Sequence, residues 1–230
     1  MSVRENIVWI RKEIRDAALR TGRDPEEIRL MAVTKTVSDD RIHEALAAGI
    51  RLFGENYVQE AQRKIPLFPQ DLEWHMIGHL QTNKSKYVVR LFRAIQSLDR
   101  TELAHELDKR CKAAGICMPV LVEVNTGGEN TKGGVAPEDL PEFMQTIAVL
   151  TNVEVRGLMT MPPWFDDPEE VRPYFRLLRE LRDEITALDI PHITMSELSM
   201  GMSDDFVVAV EEGATLLRIG RAIFGERPAA

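Results

Sequence analysis

The chain has 230 residues, of which 44% are hydrophobic, and it carries a formal net charge of -8. This length suits one large globular domain, and the acidic balance argues against a general nucleic-acid or anionic-membrane surface. The amino terminus is charged throughout and lacks a signal-peptide core, and no apolar stretch approaches transmembrane length. The two cysteines, Cys111 and Cys117, lack zinc-site spacing, and a reduced compartment is their simpler context. We therefore expect a cytoplasmic protein.

Apolar residues recur at helical spacing from Val3 to Leu19 and predict an amphipathic helix at the start of the chain. Short apolar segments then alternate with amphipathic ones. The apolar segments predict strands at residues 29–35, 51–55, 73–78, 94–98, 119–125, 153–160, 197–200 and 215–220. The segments between them predict helices at residues 38–49, 56–65, 81–92, 100–115, 138–150, 172–188 and 203–213.

The alternation of strands and helices predicts an α/β fold with a parallel sheet, because each helix supplies the crossover to the next strand. About eight such units without a linker or repeat favour a single closed (β/α)8 barrel of the TIM type. An open doubly wound sheet is the alternative. We predict one domain over residues 1–230, with the opening helix at residues 3–19.

Polar or small residues follow the predicted strands at their carboxyl ends, where a barrel carries its chemistry. They are Lys35, Glu55, Asn56, His75, His79, Asn125, Met159, Thr160, Ser199, Arg218 and Gly220. Lys35 stands out because it lies in the apolar segment "MAVTKTV", and a buried amine is often neutral and reactive. A lysine at a strand end can also simply extend its ammonium group into water.

The turns after the last two predicted strands suit an anion. "LSMGMSDD" places Ser199, Gly201 and Ser203 at a strand-to-helix turn, and "RIGRAIFG" places Gly220 and Arg221 before a short helix. Loops at these two positions of a barrel form a recurrent phosphate site, although the glycines could also serve only to make tight turns. A lysine and a phosphate site at one end favour a phosphorylated carbonyl compound bound as a Schiff base. Pyridoxal phosphate (PLP) and a sugar-phosphate aldolase substrate both meet this description.

Two further motifs resemble ligand sites but fit them poorly. His75 and His79 are four residues apart, but a strand and a glycine turn intervene and no acidic pair accompanies them, so no metal is expected. We expect His75 to make a core hydrogen bond instead. "GGENTKGG" does not match a P-loop because Lys132 precedes Gly133, and we expect a surface loop whose Lys132 could reach the pocket.

Seven segments together resemble the YggS/PROSC family, the pyridoxal phosphate homeostasis proteins. They are "AVTKT", "FGENYVQE", "WHMIGHLQTNK", "VNTGGENTKGG", "GLMTM", "LSMGMSDDF" and "RIGRAIFGER", and they follow one another over nearly the whole chain. The resemblance implies PLP as the cofactor and a barrel like the N-terminal domain of alanine racemase, which is PLP fold type III. It also implies a role in intracellular PLP homeostasis.

The resemblance assigns a set of residues to PLP. They are Lys35, Asn56, Ser199, Met200, Arg218, Gly220 and Arg221. The lysine would form the Schiff base, the serine, the glycine and Arg221 would hold the phosphate, and the asparagine and methionine would lie beside the ring. Arg218 would face the pyridine nitrogen and keep it unprotonated, because two adjacent positive charges repel. Many relatives carry a second lysine shortly after the first, and Val37 replaces it here.

A PLP carrier and an amino-acid racemase are the two main functions left open. Racemisation needs two acid/base groups on opposite faces of the substrate α-carbon. In the related racemase another domain supplies a tyrosine for this purpose, whereas this chain ends soon after its last predicted strand. Its three tyrosines, Tyr57, Tyr87 and Tyr174, fall in predicted helices. We therefore predict a monomeric PLP-binding protein without robust catalysis, with PLP-dependent apoenzymes as candidate recipients, and keep a Schiff-base aldolase as a third hypothesis.

Overall fold

The computed structural model describes residues 1–129 and 133–225. Eight parallel strands form a closed barrel in which neighbours follow chain order and the last strand pairs with the first. The strands are β1 (Arg29–Val33), β2 (Leu52–Glu55), β3 (Glu73–Met76), β4 (Ala94–Leu98), β5 (Met118–Glu123), β6 (Val153–Met159), β7 (Ile193–Ser199) and β8 (Leu216–Ile219). The prediction of a (β/α)8 barrel is confirmed.

Helices alternate with these strands and cover the outside of the barrel. They are α1 (Val3–Arg20), α2 (Asp39–Ala47), α3 (Val58–Lys64), α4 (Ser85–Leu91), α5 (Thr101–Ala114), α6 (Leu140–Ile147), α7 (Arg172–Ala187), α8 (Phe206–Glu211) and α9 (Arg221–Phe224). Within the described ranges, no helix combines the length and apolar character that crossing a lipid bilayer requires.

The opening helix α1 packs against α2, α8 and α9 on the outside of the barrel. A capping box fixes its start, because the Ser2 hydroxyl accepts from the Glu5 N–H and the Glu5 carboxylate accepts from the Ser2 N–H. Ile7, Ile10 and Ile14 are buried at helical spacing. The observed helix agrees with the one predicted at residues 3–19, and it packs on α2, α8 and α9.

The observed strands match the predicted ones, but two boundaries differ in ways that matter. β1 ends at Val33, so Lys35 lies in the following turn instead of in the strand. β7 begins at Ile193, before the predicted residue 197, and its first half carries Thr194 and Ser196. These hydroxyls donate to backbone carbonyls of β6, which explains why a polar segment with no apolar run still forms a strand.

β6 and β7 approach each other very closely at Gly157. A Cβ atom at this position would lie 1.8 Å from the carbonyl oxygen of Glu197, which no side chain could accommodate. The close approach tightens the barrel next to the strand ends of β6 and β7. The loops that follow these two strands are thereby brought to the same side of the barrel mouth.

Candidate functional site

Lys35 lies in the turn after β1 and lines a cavity at the carboxyl ends of the strands. On its amino-terminal side, the Thr34 N–H donates to the Gly54 carbonyl at 2.9 Å, which continues the sheet by one residue. On its other side, Thr36 has a left-handed φ of 61°, and its N–H donates to Oε1 of Glu60 at 2.8 Å. The turn is thus fixed on both sides of Lys35, whose own side chain is half-buried.

The cavity at this end of the barrel has a volume of about 540 Å³. Five of the seven residues assigned to PLP by resemblance lie in its wall: Lys35, Asn56, Arg218, Gly220 and Arg221. They come from the ends of β1, β2 and β8, so strands far apart in the sequence bring them together. A larger cavity of about 730 Å³ lies at the amino ends of β1 to β3 and contains none of these residues.

Asn56 follows β2 and presents an unused acceptor to this region. Its Oδ1 atom is buried and has no hydrogen-bond partner among the described residues. The backbone of Asn56 packs directly on Gly78, where an added Cβ would lie 2.4 Å from the Asn56 carbonyl oxygen. Glycine at position 78 therefore allows the turn after β3 to hold Asn56 in the wall of the cavity.

Arg218 is a buried cation on β8, with 3% of its surface exposed. Nη1 donates to Oγ of Ser199 at 2.6 Å, and Nη2 donates to the carbonyl of Thr160 at 2.7 Å. Burial lowers the pKa of Arg218 to about 10, and the charges of Asp205 and Glu123 oppose that change. The guanidinium is still protonated at neutral pH, so the cavity wall carries a fixed positive charge.

A corner of the cavity is built from the turns after β7 and β8. Gly220 follows β8 and Arg221 begins α9. The hydroxyl of Ser203 accepts from the Ala222 N–H at 3.1 Å and joins the two turns. Arg221 forms an ion pair with Asp204, and both side chains are about half exposed. Hydroxyl, backbone N–H and guanidinium groups thus converge here, and these are the groups that bind phosphate.

Two predicted residues do not line the cavity. Ser199 is fully buried, and its hydroxyl donates to Oε1 of Gln96 at 2.6 Å while it accepts from Arg218, so it faces the barrel interior. Met200 is also fully buried and belongs to the hydrophobic core. Neither side chain lines the cavity, and their assignment to phosphate and ring stays a prediction. Ser203 and Met202, from the same turn, line the cavity in their place.

The loop after β6 supplies two residues that the sequence did not single out. Met161 and Trp164 line the cavity and remain 43% and 69% exposed. Met161 is the last residue of the motif "GLMTM" but was not assigned to PLP, whereas Trp164 lies in a segment predicted only as a connecting loop. They give the mouth of the cavity an apolar side opposite the charged corner.

The predicted core hydrogen bond of His75 is confirmed. His75 lies inside the barrel, with Nε2 2.8 Å from Oε1 of Glu73 and Nδ1 2.9 Å from Nε2 of Gln96. This is the expected core hydrogen bond. Nδ1 of His79 lies 3.5 Å from Oδ2 of Asp99. Among the residues described, no group of three or more acidic, histidine or cysteine side chains is placed to hold a metal ion. Lys132 lies outside the described residues.

The tyrosines lie away from the cavity. Tyr87 lies in α4 and Tyr174 in α7, as predicted. Tyr57 precedes α3 instead of lying in it, and 57% of its surface is exposed. All three are described residues, and none of them lines the cavity beside Lys35.

A second cavity of about 500 Å³ adjoins the first and shares Asn56 and Met161 with it. Glu123, the last residue of β5, lines this second cavity. Burial, together with the charge of the nearby Asp99, raises the pKa of Glu123 to about 7, although the charge of Arg218 opposes this change. The carboxyl can therefore exchange its proton near neutral pH.

Comparison with known proteins agrees with the fold. The family model "Alanine racemase, N-terminal domain" matches residues 6–228. The pyridoxal phosphate homeostasis protein of Aquifex aeolicus is 48% identical over 231 residues, covering 99% of both chains, and that of Escherichia coli K12 is 40% identical over 98% of this chain and 97% of its own length. The PLP-bound structure of PipY from Synechococcus elongatus PCC7942 has a TM-score of 0.85 and 34% identity, covering 97% of this chain and 100% of its own. The chain belongs to the family of the pyridoxal phosphate homeostasis proteins, built on the alanine racemase N-terminal domain fold.

Proposed function

We propose that this chain binds PLP in the cavity at the carboxyl end of the barrel, as a single domain, and serves intracellular PLP homeostasis without robust catalysis of its own. The observation that carries the proposal is the convergence of Lys35, Arg218 and the Ser203–Arg221 corner on one cavity. The names of the relatives and the PLP-bound PipY structure support the choice of ligand.

The residues present fit the chemical groups of PLP. The cofactor has an aldehyde, a pyridine nitrogen, a phenolic oxygen and a phosphate, and the cavity offers an amine, a buried guanidinium and a phosphate-binding corner. The buried Oδ1 of Asn56, which has no partner in the described structure, provides an acceptor that a bound ligand can satisfy. PLP supplies an aldehyde carbon that an amine can attack and a ring that withdraws electrons.

In this proposal Lys35 attaches the cofactor through its neutral amine. Its nitrogen would bond to the aldehyde carbon, and the aldehyde oxygen would be released as water with the two hydrogens of the amine. Arg218 holds its positive charge toward the ring, which disfavours protonation of the pyridine nitrogen. A ring without that proton is a weaker electron sink, which suits retention better than turnover.

The lining of the cavity supports a carrier over a racemase. Its titratable side chains, among the described residues, are Lys35, Asp204, Arg218 and Arg221. Asp204 is the one carboxylate of the set, and it is paired with Arg221. A racemase needs a second proton donor and acceptor facing the α-carbon opposite the lysine, and a carboxylate held in an ion pair is a poor candidate for that role.

Absorbance and mass mapping test the binding proposal. We expect the purified protein mixed with PLP to show a visible band that borohydride removes, with the added mass on the peptide that contains Lys35. The variant Lys35→Ala should lose the band, while Lys86→Ala, which removes an exposed lysine of α4, should keep it. Reduction that labels other lysines and leaves Lys35 unmodified would overturn the assignment.

Proton exchange tests the absence of catalysis. The PLP-loaded protein is incubated with individual amino acids in deuterated water, and loss of the α-proton is followed by NMR. We expect no exchange at the rate of a metabolic enzyme. Exchange at such a rate that Lys35→Ala abolishes would establish a racemase or a related enzyme instead.

We further propose that the chain acts in the cytoplasm as a monomer and passes PLP to apoenzymes that depend on it. Attachment through a single reversible bond at an open cavity supports this role, because hydrolysis of the bond returns the intact cofactor. Mixing the loaded protein with a PLP-free acceptor enzyme tests it, with recovery of the acceptor's activity as the readout. Recovery no faster than from an equal amount of unbound PLP, with a scavenger of unbound PLP present, would argue against direct transfer.

A further inference from the structure

A buried ion cluster lies directly behind Lys35. Its members are Lys64 and Glu60 of α3 and Glu55 of β2, and the side chains of Lys64 and Glu55 have no exposed surface. The ammonium nitrogen of Lys64 lies 2.9 Å from Oε1 of Glu55 and 2.5 Å from Oε1 of Glu60. A lysine in the last turn of a short surface helix would ordinarily extend into water. Here it points inward, toward the turn after β1.

The cluster binds both peptide groups that flank Lys35. Nζ of Lys64 donates to the Thr34 carbonyl at 2.5 Å, and Oε1 of Glu60 accepts from the Thr36 N–H at 2.8 Å. The hydroxyl of Thr34 donates to Oε1 of Glu55 at 2.7 Å. Thr34 and Thr36, which flank Lys35, are therefore both hydrogen-bonded to members of this ion cluster.

This arrangement holds a backbone conformation that the chain would not otherwise favour. Thr36 has a φ of 61°, in the left-handed region that β-branched residues seldom adopt. A strained residue of this kind persists only where its surroundings over-determine it, and such residues occur at functional sites. The bond from the Thr36 N–H to Glu60 is a charge-assisted one and supplies that constraint.

Stability alone does not explain a buried ammonium at position 64. Removing the charges of Lys64 and Glu55 from water costs about as much as their attraction returns, so apolar residues there would serve the core equally well. Burial raises the pKa of Glu55, against the hydrogen bonds from Thr34 and Lys64. What the charged cluster provides, and apolar side chains could not, is directional bonding to the peptide groups around Lys35.

We propose that Lys64 is a positioning residue, which together with Glu55 and Glu60 fixes the turn at residues 34–36 and so directs the Lys35 amine into the cavity. This inference rests on the proposed function, because it concerns the amine that would attach PLP. It assigns α3, which contributes no residue to the cavity wall, a role in the rate of attachment. Binding of the phosphate and ring does not depend on it.

The test compares variants of the cluster with a matched control on the same helix. Glu60→Ala removes the acceptor of the Thr36 N–H, and Glu60→Gln keeps an oxygen there. Arg63→Ala removes the neighbouring exposed ion pair with Asp39 and leaves in place the hydrogen bonds from the cluster to Thr34 and Thr36. Lys64→Met is made alone and with Glu55→Gln, since the double variant leaves no unpaired charge among the fully buried side chains if the single one fails to fold.

Three measurements separate positioning from general damage. The first is the rate at which PLP attaches to Lys35, followed by absorbance and located by mass mapping after borohydride. The second is the affinity for pyridoxine 5′-phosphate, which has the ring and phosphate but no aldehyde. The third is hydrogen exchange of the Thr36 amide in protein without cofactor.

For Glu60→Ala and Lys64→Met we expect attachment about ten- to a hundredfold slower, the effect of a small misplacement of a reacting group. Thr36 should exchange faster, and the affinity for pyridoxine 5′-phosphate should stay within about twofold of the unaltered protein. Glu60→Gln should restore part of the rate, and Arg63→Ala should match the unaltered protein.

Attachment at the unaltered rate in Glu60→Ala and in the Lys64 variants would overturn the inference, as would unchanged exchange of Thr36. An equal loss of affinity for both ligands would assign the cluster a merely structural role and also overturn it. Failure of the unaltered protein to bind either ligand would instead refute the proposed function, so the two failures are distinguishable.

Discussion

The buried carboxyl of Glu123 predicts a specific pH dependence of stability. Glu123 ends β5 beside the candidate site, and burial raises its pKa from 4.5 to about 7. The folded protein therefore binds this proton more tightly than the unfolded chain does. The stabilising contribution is fully present below pH 4.5, and it is lost as the pH rises through about 7.

The size of the effect follows from the difference in pKa. A carboxyl whose pKa changes from 4.5 to about 7 on folding changes the free energy of unfolding by about 3 kcal/mol across that range. Glutamine has nearly the same shape and no charge. We therefore expect Glu123→Gln to be up to about 3 kcal/mol more stable than the unaltered protein at about pH 8, and nearly equal to it at about pH 4.

Urea unfolding followed by circular dichroism at the two pH values measures this difference. Glu184→Gln, the same chemical change on an exposed side chain of α7, is the control and should change little at either pH. A stability difference between Glu123→Gln and the unaltered protein that is the same at both pH values would refute the reasoning. It would mean that Glu123 is ionised throughout or that the substitution acts through packing.

Three further predictions address the ring side, the mouth and the interior of the barrel. Arg218→Lys should lower the free energy of unfolding by about 2 kcal/mol, because the single nitrogen of lysine cannot occupy both positions from which the guanidinium donates to Ser199 and Thr160. An unchanged urea midpoint would contradict this. Tryptophan emission should fall when PLP is added and fall much less in Trp164→Phe, since the other two tryptophans do not line the cavity. The hydrogen bond with His75 lowers the pKa of Glu73 to about 2, so Glu73 should stabilise the fold above pH 4.5 and lose that contribution as the pH falls through about 2. Glu73→Gln should accordingly be less stable than the unaltered protein near neutral pH, and this difference should shrink as the pH falls toward 2. A difference that is the same at every acid pH would count against the pair.

The barrel was predictable from the sequence because its strands are short, apolar and separated by amphipathic segments. Such a pattern permits few arrangements other than parallel strands with helical crossovers. The position of Lys35 near the end of a buried strand was also visible. The order of strand ends around a closed barrel then brings it next to Arg218, since β8 pairs with β1.

The exact members of the site were less predictable, because side-chain direction depends on strand register. Ser199 and Ser203 lie in one turn with the same chemistry, but Ser199 is still part of β7 and points into the barrel interior. Ser203 lies beyond the strand and reaches α9. One hydroxyl cannot be chosen over the other without knowing where the strand ends.

Lys64 could not have been recognised from the sequence. Its helix is short, and a lysine near the end of an amphipathic helix predicts a solvated side chain. The buried position arises because β2 ends in Glu55, whose carboxylate faces the same space behind β1. That juxtaposition depends on the packing of α3 against the barrel and leaves no signature at either residue alone.

The proposed retention of PLP without turnover would have its origin in how the barrel interior holds Arg218. A chain of hydrogen bonds crosses the barrel interior from His75 of β3 through Gln96 of β4 and Ser199 of β7 to this guanidinium on β8. Each member fixes the next, so the positive charge cannot turn away from the cavity. A fixed cation beside the pyridine nitrogen would oppose protonation of that nitrogen. The ring would then be a weaker electron sink for removal of an α-proton, whereas the bond to Lys35 would be unaffected. A barrel that binds PLP in this way would keep the cofactor attached and would make its ring a weaker catalyst.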